Sequence, residues 1–159
     1  MNHAMFGAGC FWGVQYYFDQ VPGVEKTTVG YSGGNTRNPT YEQVCYEDTG
    51  HAEVVLVEFD PDEVTYETLV RQFFRMHDPT QLNRQGPDVG DQYRSAIFTM
   101  DDSQTTIAKQ VKAELQTASK RPIVTVIERA GEFYEAEDYH QKYAERTGRD
   151  MCHIPYEPL

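Results

Sequence analysis

Segments with the two-residue period of a β-strand alternate along this chain with segments that have helical spacing, and this alternation restricts the fold most. The clearest strand is residues 51–59, HAEVVLVEF. The clearest helix begins near Thr65, a typical N-cap residue, and its apolar side chains share one face. These side chains are Tyr66, Leu69, Val70, Phe73 and Phe74. Strands that alternate with helices indicate an α/β domain.

The same periods predict the remaining elements. Further strands are predicted over residues 3–8, 24–31, 93–100 and 123–128, and further helices over residues 11–21, 101–119 and 136–145. This order predicts an α/β (α+β) two-layer sandwich on a mixed sheet. We expect a single domain over residues 1–159, with an irregular tail over residues 147–159. Two long loops, 35–50 and 78–91, are also predicted, and loops of this length are commonly functional.

The charge of the chain argues against two classes of partner. The formal net charge is −11, so the surface repels phosphate, and neither nucleic acid nor an anionic membrane is an expected partner. No apolar run approaches the roughly 20 residues that span a bilayer. The first residues, MNHA, lack the basic region of a signal peptide. We therefore expect a cytoplasmic protein, and we expect it to act as a monomer.

The cysteines of this chain are few and irregularly spaced. They are Cys10, Cys45 and Cys152. An odd number without C-x-x-C spacing argues against a disulfide scaffold and against a structural zinc site. The histidines His51, His77 and His140 lie on different predicted elements without ligand spacing, so no metal is expected. In a reducing compartment, a cysteine with a role is then more often chemical than structural.

Cys10 lies in the stretch FGAGCFWG, where the first predicted strand passes into the first predicted helix. The N–H groups and the dipole at a helix N-terminus favour a thiolate there. Gly7 and Gly9 allow a ligand or another backbone to come close. Spacing alone leaves two interpretations open, a reactive thiol and a tightly packed corner.

Glu53 lies near the beginning of the clearest strand. Alternation places it on the same face as Val55 and Val57, which is the face expected to be buried. Burial raises the pKa of a carboxyl group, and a protonated carboxyl suits a proton donor. In the alternative interpretation Glu53 is solvated at the strand end and has no role, and periodicity alone favours this alternative.

Short motifs spread over most of the chain resemble those of one enzyme family. They are GCFWG (9–13), GYSGG (30–34), NPTYEQVC (38–45), TGHAE (49–53), HDPT (77–80), NRQGPDVG (83–90), QYRSAI (92–97) and AEDYHQ (136–141). In this order they resemble the A-type peptide methionine sulfoxide reductases. The resemblance implies a ferredoxin-like plait as the core of the sandwich. It also implies reduction of methionine-S-sulfoxide, free and in proteins, to methionine.

The resemblance further implies a role for each of seven residues. Cys10 would be the nucleophile that attacks the sulfoxide sulfur, and Phe11 and Trp12 would form the pocket for the substrate methyl group. Glu53 would donate a proton to the sulfoxide oxygen. Tyr41 and Tyr93 would donate hydrogen bonds to that oxygen, and Asp88 would organise the site. Thiolate, acid and phenol groups suit this chemistry because the sulfoxide oxygen leaves poorly unless it is protonated.

Oxygen transfer would leave Cys10 as a sulfenic acid, which condenses with a second thiol. The favoured partner is Cys152 in the DMCH stretch of the tail, and Cys45 remains the alternative. The resulting disulfide would be reduced by thioredoxin, or by dithiothreitol in the test tube. No bound cofactor is expected.

Two other functions remain to be weighed against the reductase. A papain-like hydrolase would need His140 against Cys10, but the sequence that follows Cys10 does not match the papain signature. A peptide-binding module without turnover would have no use for Cys10 or Glu53, and both residues are present.

Overall fold

A computed structural model describes residues 2–46 and 49–141 of the chain. The strands are β1 (Asn2–Ala8), β2 (Val24–Ser32), β3 (Ala52–Phe59), β4 (Arg84–Gln85), β5 (Asp88–Val89), β6 (Ser95–Thr99), β7 (Val126–Arg129) and β8 (Phe133–Glu135). The helices are α1 (Phe11–Asp19), α2 (Tyr41–Tyr46), α3 (Tyr66–Arg75) and α4 (Asp102–Ala118), with 3-10 turns at Asp91–Tyr93 and Asp138–His140. Strands and helices alternate over most of the chain, so the predicted α/β class is confirmed.

Six of these strands form one mixed sheet in the order β7-β6-β1-β3-β2-β8. The pairs β1–β3, β1–β6, β2–β3 and β2–β8 are antiparallel, and β6–β7 is parallel. The short strands β4 and β5 form a separate hairpin. The central strands β1 and β3 carry the site residues at one end of the sheet, because Ala8 ends β1 and Ala52 begins β3.

The helices α1, α3 and α4 contribute to one apolar core with one face of the sheet. At its centre Phe6 of β1 stacks on Phe18 of α1, with ring centroids 5.1 Å apart, and on Phe73 of α3, at 5.3 Å. The helix α3 begins where predicted, because the Thr65 side chain accepts a hydrogen bond from the Thr68 N–H. The opposite face of the sheet has a smaller apolar cluster around Phe98. This packing fixes β1 and α1 relative to each other, and with them the junction between them.

Three sequence predictions differ from the structure. The described part of the predicted helix 136–145 is not α-helical, because residues that follow β8 lie along the edge of β2. There the Gln141 side chain accepts from the Val29 N–H and donates to the Val29 carbonyl, both at 3.0 Å. The strand predicted at 123–128 begins only at Val126. The predicted loop 35–50 contains the helix α2.

Two further points concern the sequence predictions. The tail over residues 147–159 lies outside the described residues. Within the described ranges, the structure has no helix that combines the length and the apolar character needed to cross a membrane.

Candidate active site

Cys10 lies between the end of β1 and the beginning of α1, as its N-cap residue. Its carbonyl accepts a hydrogen bond from the Val14 N–H at 3.4 Å, and its side chain is half-buried. The preceding Gly9 has φ +98°, and a Cβ atom there would lie 2.9 Å from Cβ of Gln85. Backbone conformation and close packing therefore both require glycine at this position. The thiol is held at a helix N-terminus, where the dipole favours its ionised form.

Glu53 is buried beside this thiol, with only 1% of the residue exposed. It is thus not the solvated carboxylate of the alternative interpretation. Its Oε1 accepts a hydrogen bond from the Phe11 N–H at 3.2 Å, and its Oε2 has no hydrogen-bond partner within the described part of the chain. Burial raises the pKa of this carboxyl group well above its ordinary value, and the negative charges at Cys10 and Asp88 raise it further. The geometry and the pKa both suit a protonated acid with one oxygen that no described residue hydrogen-bonds.

Tyr41 and Tyr93 come from two different segments and meet at a third side chain. Tyr41 begins α2, and Tyr93 ends the 3-10 turn Asp91–Tyr93. Both phenols lie close enough to the Cys45 thiol to affect its pKa, and Cys45 is half-buried. Burial, followed by the nearby charge of Glu53, raises the pKa of both phenols, so they remain hydrogen-bond donors. Burial also raises the pKa of the Cys45 thiol.

Aromatic rings line the same region of the structure. The Phe11 and Trp12 ring centroids are 6.4 Å apart, and Tyr41 stacks on Trp12 at 6.1 Å. Phe11 is almost fully buried, whereas Trp12 is half-buried. A half-buried indole beside buried rings forms an apolar wall that a small alkyl group can contact.

Asp88 is brought to this region by the β4–β5 hairpin. Gln85 of the hairpin packs against Gly9 and hydrogen-bonds the backbone of Asp78 twice, at 3.0 and 2.6 Å. Asp88 is half-buried, and burial raises its pKa. Its charge in turn raises the pKa of Glu53, so the two carboxyl groups lie within electrostatic reach of each other.

Seven of the eight residues singled out in the sequence are thus described by the structure, and the eighth, Cys152, lies outside the described residues. Two neighbours of the site had no such role in the sequence analysis. Cys45 was considered only as a resolving thiol, although it lies one helical turn after Tyr41 in α2 and therefore on the same side of that helix. His140 was considered only as a hydrolase base or metal ligand. Its Nδ1 accepts from Trp12 Nε1 at 3.0 Å, which leaves this nitrogen unavailable as a base for Cys10.

One group of acidic side chains in the described residues is close enough to hold a cation. The ligand atoms of Glu25, Asp60 and Glu63 lie within 4.8 Å of one another. Asp60 follows the far end of β3 from Glu53, so this group is separate from the candidate site. His77, the other histidine of interest, bonds the Phe73 carbonyl and Ser95 Oγ, both at 2.7 Å.

Comparisons with known proteins agree on one family. The model of the family "Peptide methionine sulfoxide reductase" matches residues 2–159. A peptide methionine sulfoxide reductase MsrA of Acidobacterium capsulatum is 54% identical over 157 residues, which are 97% of this chain and 100% of that protein. The structure is similar to the crystal structure of Mxr1 from Saccharomyces cerevisiae in reduced form, with a TM-score of 0.91, 35% identity, and coverage of 98% of this chain and 92% of that one. A crystal structure of Mxr1 in complex with Trx2 is also similar, with a TM-score of 0.64, 28% identity, and coverage of 90% and 84%.

Proposed function

The chain belongs to the peptide methionine sulfoxide reductase family and reduces methionine sulfoxide to methionine, and we propose that Cys10 and Glu53 carry out this reaction. One observation carries the proposal. A half-buried thiol at a helix N-terminus lies beside a buried carboxyl group whose Oε2 has no hydrogen-bond partner among the described residues and whose pKa is raised by burial. A nucleophile and an acid of this kind are the two groups that a sulfoxide needs.

The reaction transfers one oxygen atom between two sulfur atoms. The Cys10 thiolate attacks the sulfoxide sulfur while Glu53 delivers its proton to the sulfoxide oxygen. The S–O bond of the substrate breaks and an S–O bond to Cys10 forms. The substrate sulfur is reduced by two electrons, and Cys10 is oxidised by two electrons to a sulfenic acid.

Tyr41, Tyr93 and the apolar wall orient the substrate for this step. Both phenols lie close enough to Glu53 and to Cys45 for these groups to affect one another's pKa values, and this shared position supports a common role as donors to one oxygen. Phe11 and Trp12 receive the methyl group, and Asp88 supports the polar side of the site. Because polar donors and apolar rings then contact different substituents of a chiral sulfur, the site selects one epimer, and the family resemblance implies that it is the S epimer.

Regeneration of the thiol needs a second cysteine and an external reductant. We assign the second thiol to Cys152, which condenses with the sulfenic acid of Cys10 to a disulfide and water. The raised pKa of Cys45, which leaves less of this thiol ionised, supports Cys152 over Cys45. The complex of Mxr1 with Trx2 supports thioredoxin as the reductant, without a bound cofactor. The proposed enzyme acts as a monomer in the cytoplasm, as expected from the sequence.

The finer architecture is part of the same proposal. We propose a two-layer sandwich whose core is a ferredoxin-like plait. The order β6-β1-β3-β2 of the antiparallel central strands supports it, as does the placement of α1 and α3 in one core with one face of the sheet.

The function is tested with a racemic methionine sulfoxide peptide and dithiothreitol, with each epimer followed separately. The native chain is expected to consume the S epimer and to leave the R epimer, whereas the Cys10→Ser chain consumes neither. Mass mapping after one turnover without reductant is expected to show a Cys10–Cys152 disulfide. Equal turnover by the Cys10→Ser chain would sink the assignment of the nucleophile, and a free Cys152 would remove its resolving role.

A further inference from the structure

His140 is buried directly behind the aromatic wall of the site. It is 2% exposed, and its Nδ1 accepts the hydrogen bond of Trp12 Nε1 at 3.0 Å. Its ring centroid lies 4.5 Å from that of Tyr41 and 5.5 Å from that of Trp12, and 5.4 Å from that of Phe11. The two hydrogen-bonded residues are 128 positions apart in sequence, so this contact exists only in the folded chain.

Glu137 fixes which nitrogen of His140 is the acceptor. Its Oε2 lies 3.2 Å from His140 Nε2, an ion-pair distance without the alignment of a hydrogen bond. Its Oε1 accepts the Tyr41 N–H at 3.1 Å, which ties the turn Asp138–His140 to α2. A carboxylate on the Nε2 side favours a proton on that nitrogen and leaves Nδ1 free to accept from the indole.

The surroundings keep this imidazole neutral. Burial lowers the pKa of His140, and the Glu137 carboxylate partly offsets that effect. Among the described residues, the other titratable groups that face the ring are the phenols of Tyr41 and Tyr139, whose pKa values are raised. Trp12 and Phe11, which face it from α1, carry no charge. Protonation of Nδ1 would place two N–H groups against each other and break the bond to the indole.

We propose that His140 is a positioning residue, which holds the Trp12 indole by its N–H group in the orientation that receives the substrate methyl group. The inference rests on the proposed role of Trp12 as one wall of that pocket. The Trp12 indole is half-buried at the second position of α1, and its hydrogen bond to a buried acceptor favours the rotamer that makes this bond. Because His140 is proposed to act through the indole that contacts the methyl group, its effect falls on substrate binding.

Two substitutions separate the hydrogen bond from the packing. His140→Phe keeps an aromatic ring and removes the acceptor, and His140→Asn keeps an acceptor near the place of Nδ1. For His140→Phe we expect KM to rise about three- to tenfold, the range that one hydrogen bond typically contributes, with kcat within about twofold. For His140→Asn we expect KM to return at least partly toward the native value. An unchanged KM in His140→Phe, or a lower kcat at constant KM, would overturn the proposal.

A second background tests whether His140 acts through Trp12. In Trp12→Phe there is no indole N–H, so His140→Phe is expected to add nothing to KM. If His140→Phe raised KM equally in the native chain and in the Trp12→Phe chain, His140 would have a general structural role and the inference would be refuted. If Trp12→Phe itself leaves KM unchanged, the proposed methyl pocket fails instead, so the two failures are distinguishable.

The emission of Trp12, the only tryptophan of the chain, gives a readout independent of activity. A protonated imidazole quenches a neighbouring indole. The emission intensity of the native chain is therefore expected to decrease at pH values below the ordinary histidine pKa of about 6.5. Glu137→Gln is expected to move this transition to lower pH, since the carboxylate raises the pKa of His140. The transition is expected to vanish in His140→Phe and to remain in Glu58→Gln. Its persistence in His140→Phe, or its absence from the native chain, would overturn the proposal. If His140→Phe does not fold, the native and Glu137→Gln titrations decide the question alone.

Discussion

Glu53→Gln is expected to lower activity and to raise stability at neutral pH. Glutamine keeps the size of the side chain and an Oε1 acceptor for the Phe11 N–H, which donates at 3.2 Å in the native chain. It removes the dissociable proton from the Oε2 position. General-acid catalysis typically contributes about 10²- to 10⁴-fold, or about 3–5 kcal/mol of barrier. We therefore expect kcat to fall at least about 100-fold with little change in KM.

The effect on stability follows from the raised pKa of the buried carboxyl group. Above about pH 4.3 the unfolded chain releases this proton, whereas the folded chain keeps it up to its own higher pKa. Within that window the native chain loses stability as pH rises, at up to about 1.4 kcal/mol per pH unit. Glutamine does not titrate, so the free energy of unfolding of Glu53→Gln is expected to exceed that of the native chain by a margin that grows from pH 5 to pH 7.

Two assays and one matched control test this prediction. Turnover of the S epimer with dithiothreitol gives kcat and KM, and urea unfolding at both pH values gives the stability difference. Glu58→Gln makes the same change on the same strand, where the side chain is 28% exposed and 3.6 Å from His3. It is expected to leave kcat unchanged and to alter stability by less than about 1 kcal/mol. Activity of Glu53→Gln within a few-fold of native, or a stability difference independent of pH, would refute the reasoning.

Three further predictions concern the tyrosine donors, the turn before the thiol and the recycling step. Tyr93→Phe is expected to lower kcat for the S epimer about 100-fold, because it removes one hydrogen bond to the charged oxygen of the transition state; an unchanged kcat would contradict its role. Gly9→Ala is expected to lower the free energy of unfolding by about 1–3 kcal/mol in urea, since φ is +98° and Gln85 lies 2.9 Å from the new Cβ. Gly131→Ala, where no heavy atom lies within 4 Å of the new Cβ, is its control and is expected to change little. Cys152→Ser is expected to lose thioredoxin-supported turnover but to retain a first turnover without reductant, and full thioredoxin-supported turnover would exclude Cys152 from recycling.

Much of the fold could be predicted because the apolar faces that local periodicity indicates are the faces that pack in the core. The helix α3 has both an N-cap and an apolar face, so its bounds are visible in the sequence. The strand β8 and the turn Asp138–His140 are different, because they depend on the edge of β2. The Gln141 side chain replaces a strand partner for Val29 there, and no local pattern shows such a contact.

The candidate site could be predicted only in part for a similar reason. Cys10 and Glu53 have a local signal, since one lies at a strand-to-helix junction and the other on a buried strand face. Tyr41 and Tyr93 lie on separate segments, and only the resemblance to a family connected them. Their shared proximity to Cys45 depends on tertiary packing that periodicity does not encode.

The most direct test of the account is to locate the oxygen after a single turnover. A Cys152→Ser chain, which lacks the proposed resolving thiol, is mixed with one equivalent of methionine-S-sulfoxide and no reductant, in the presence of dimedone to trap sulfenic acids. We predict about one methionine released per chain and a dimedone adduct on the peptide that contains Cys10. Methionine formed without an adduct at Cys10, or an adduct at Cys45 instead, would contradict the claim that the Cys10 thiolate accepts the sulfoxide oxygen.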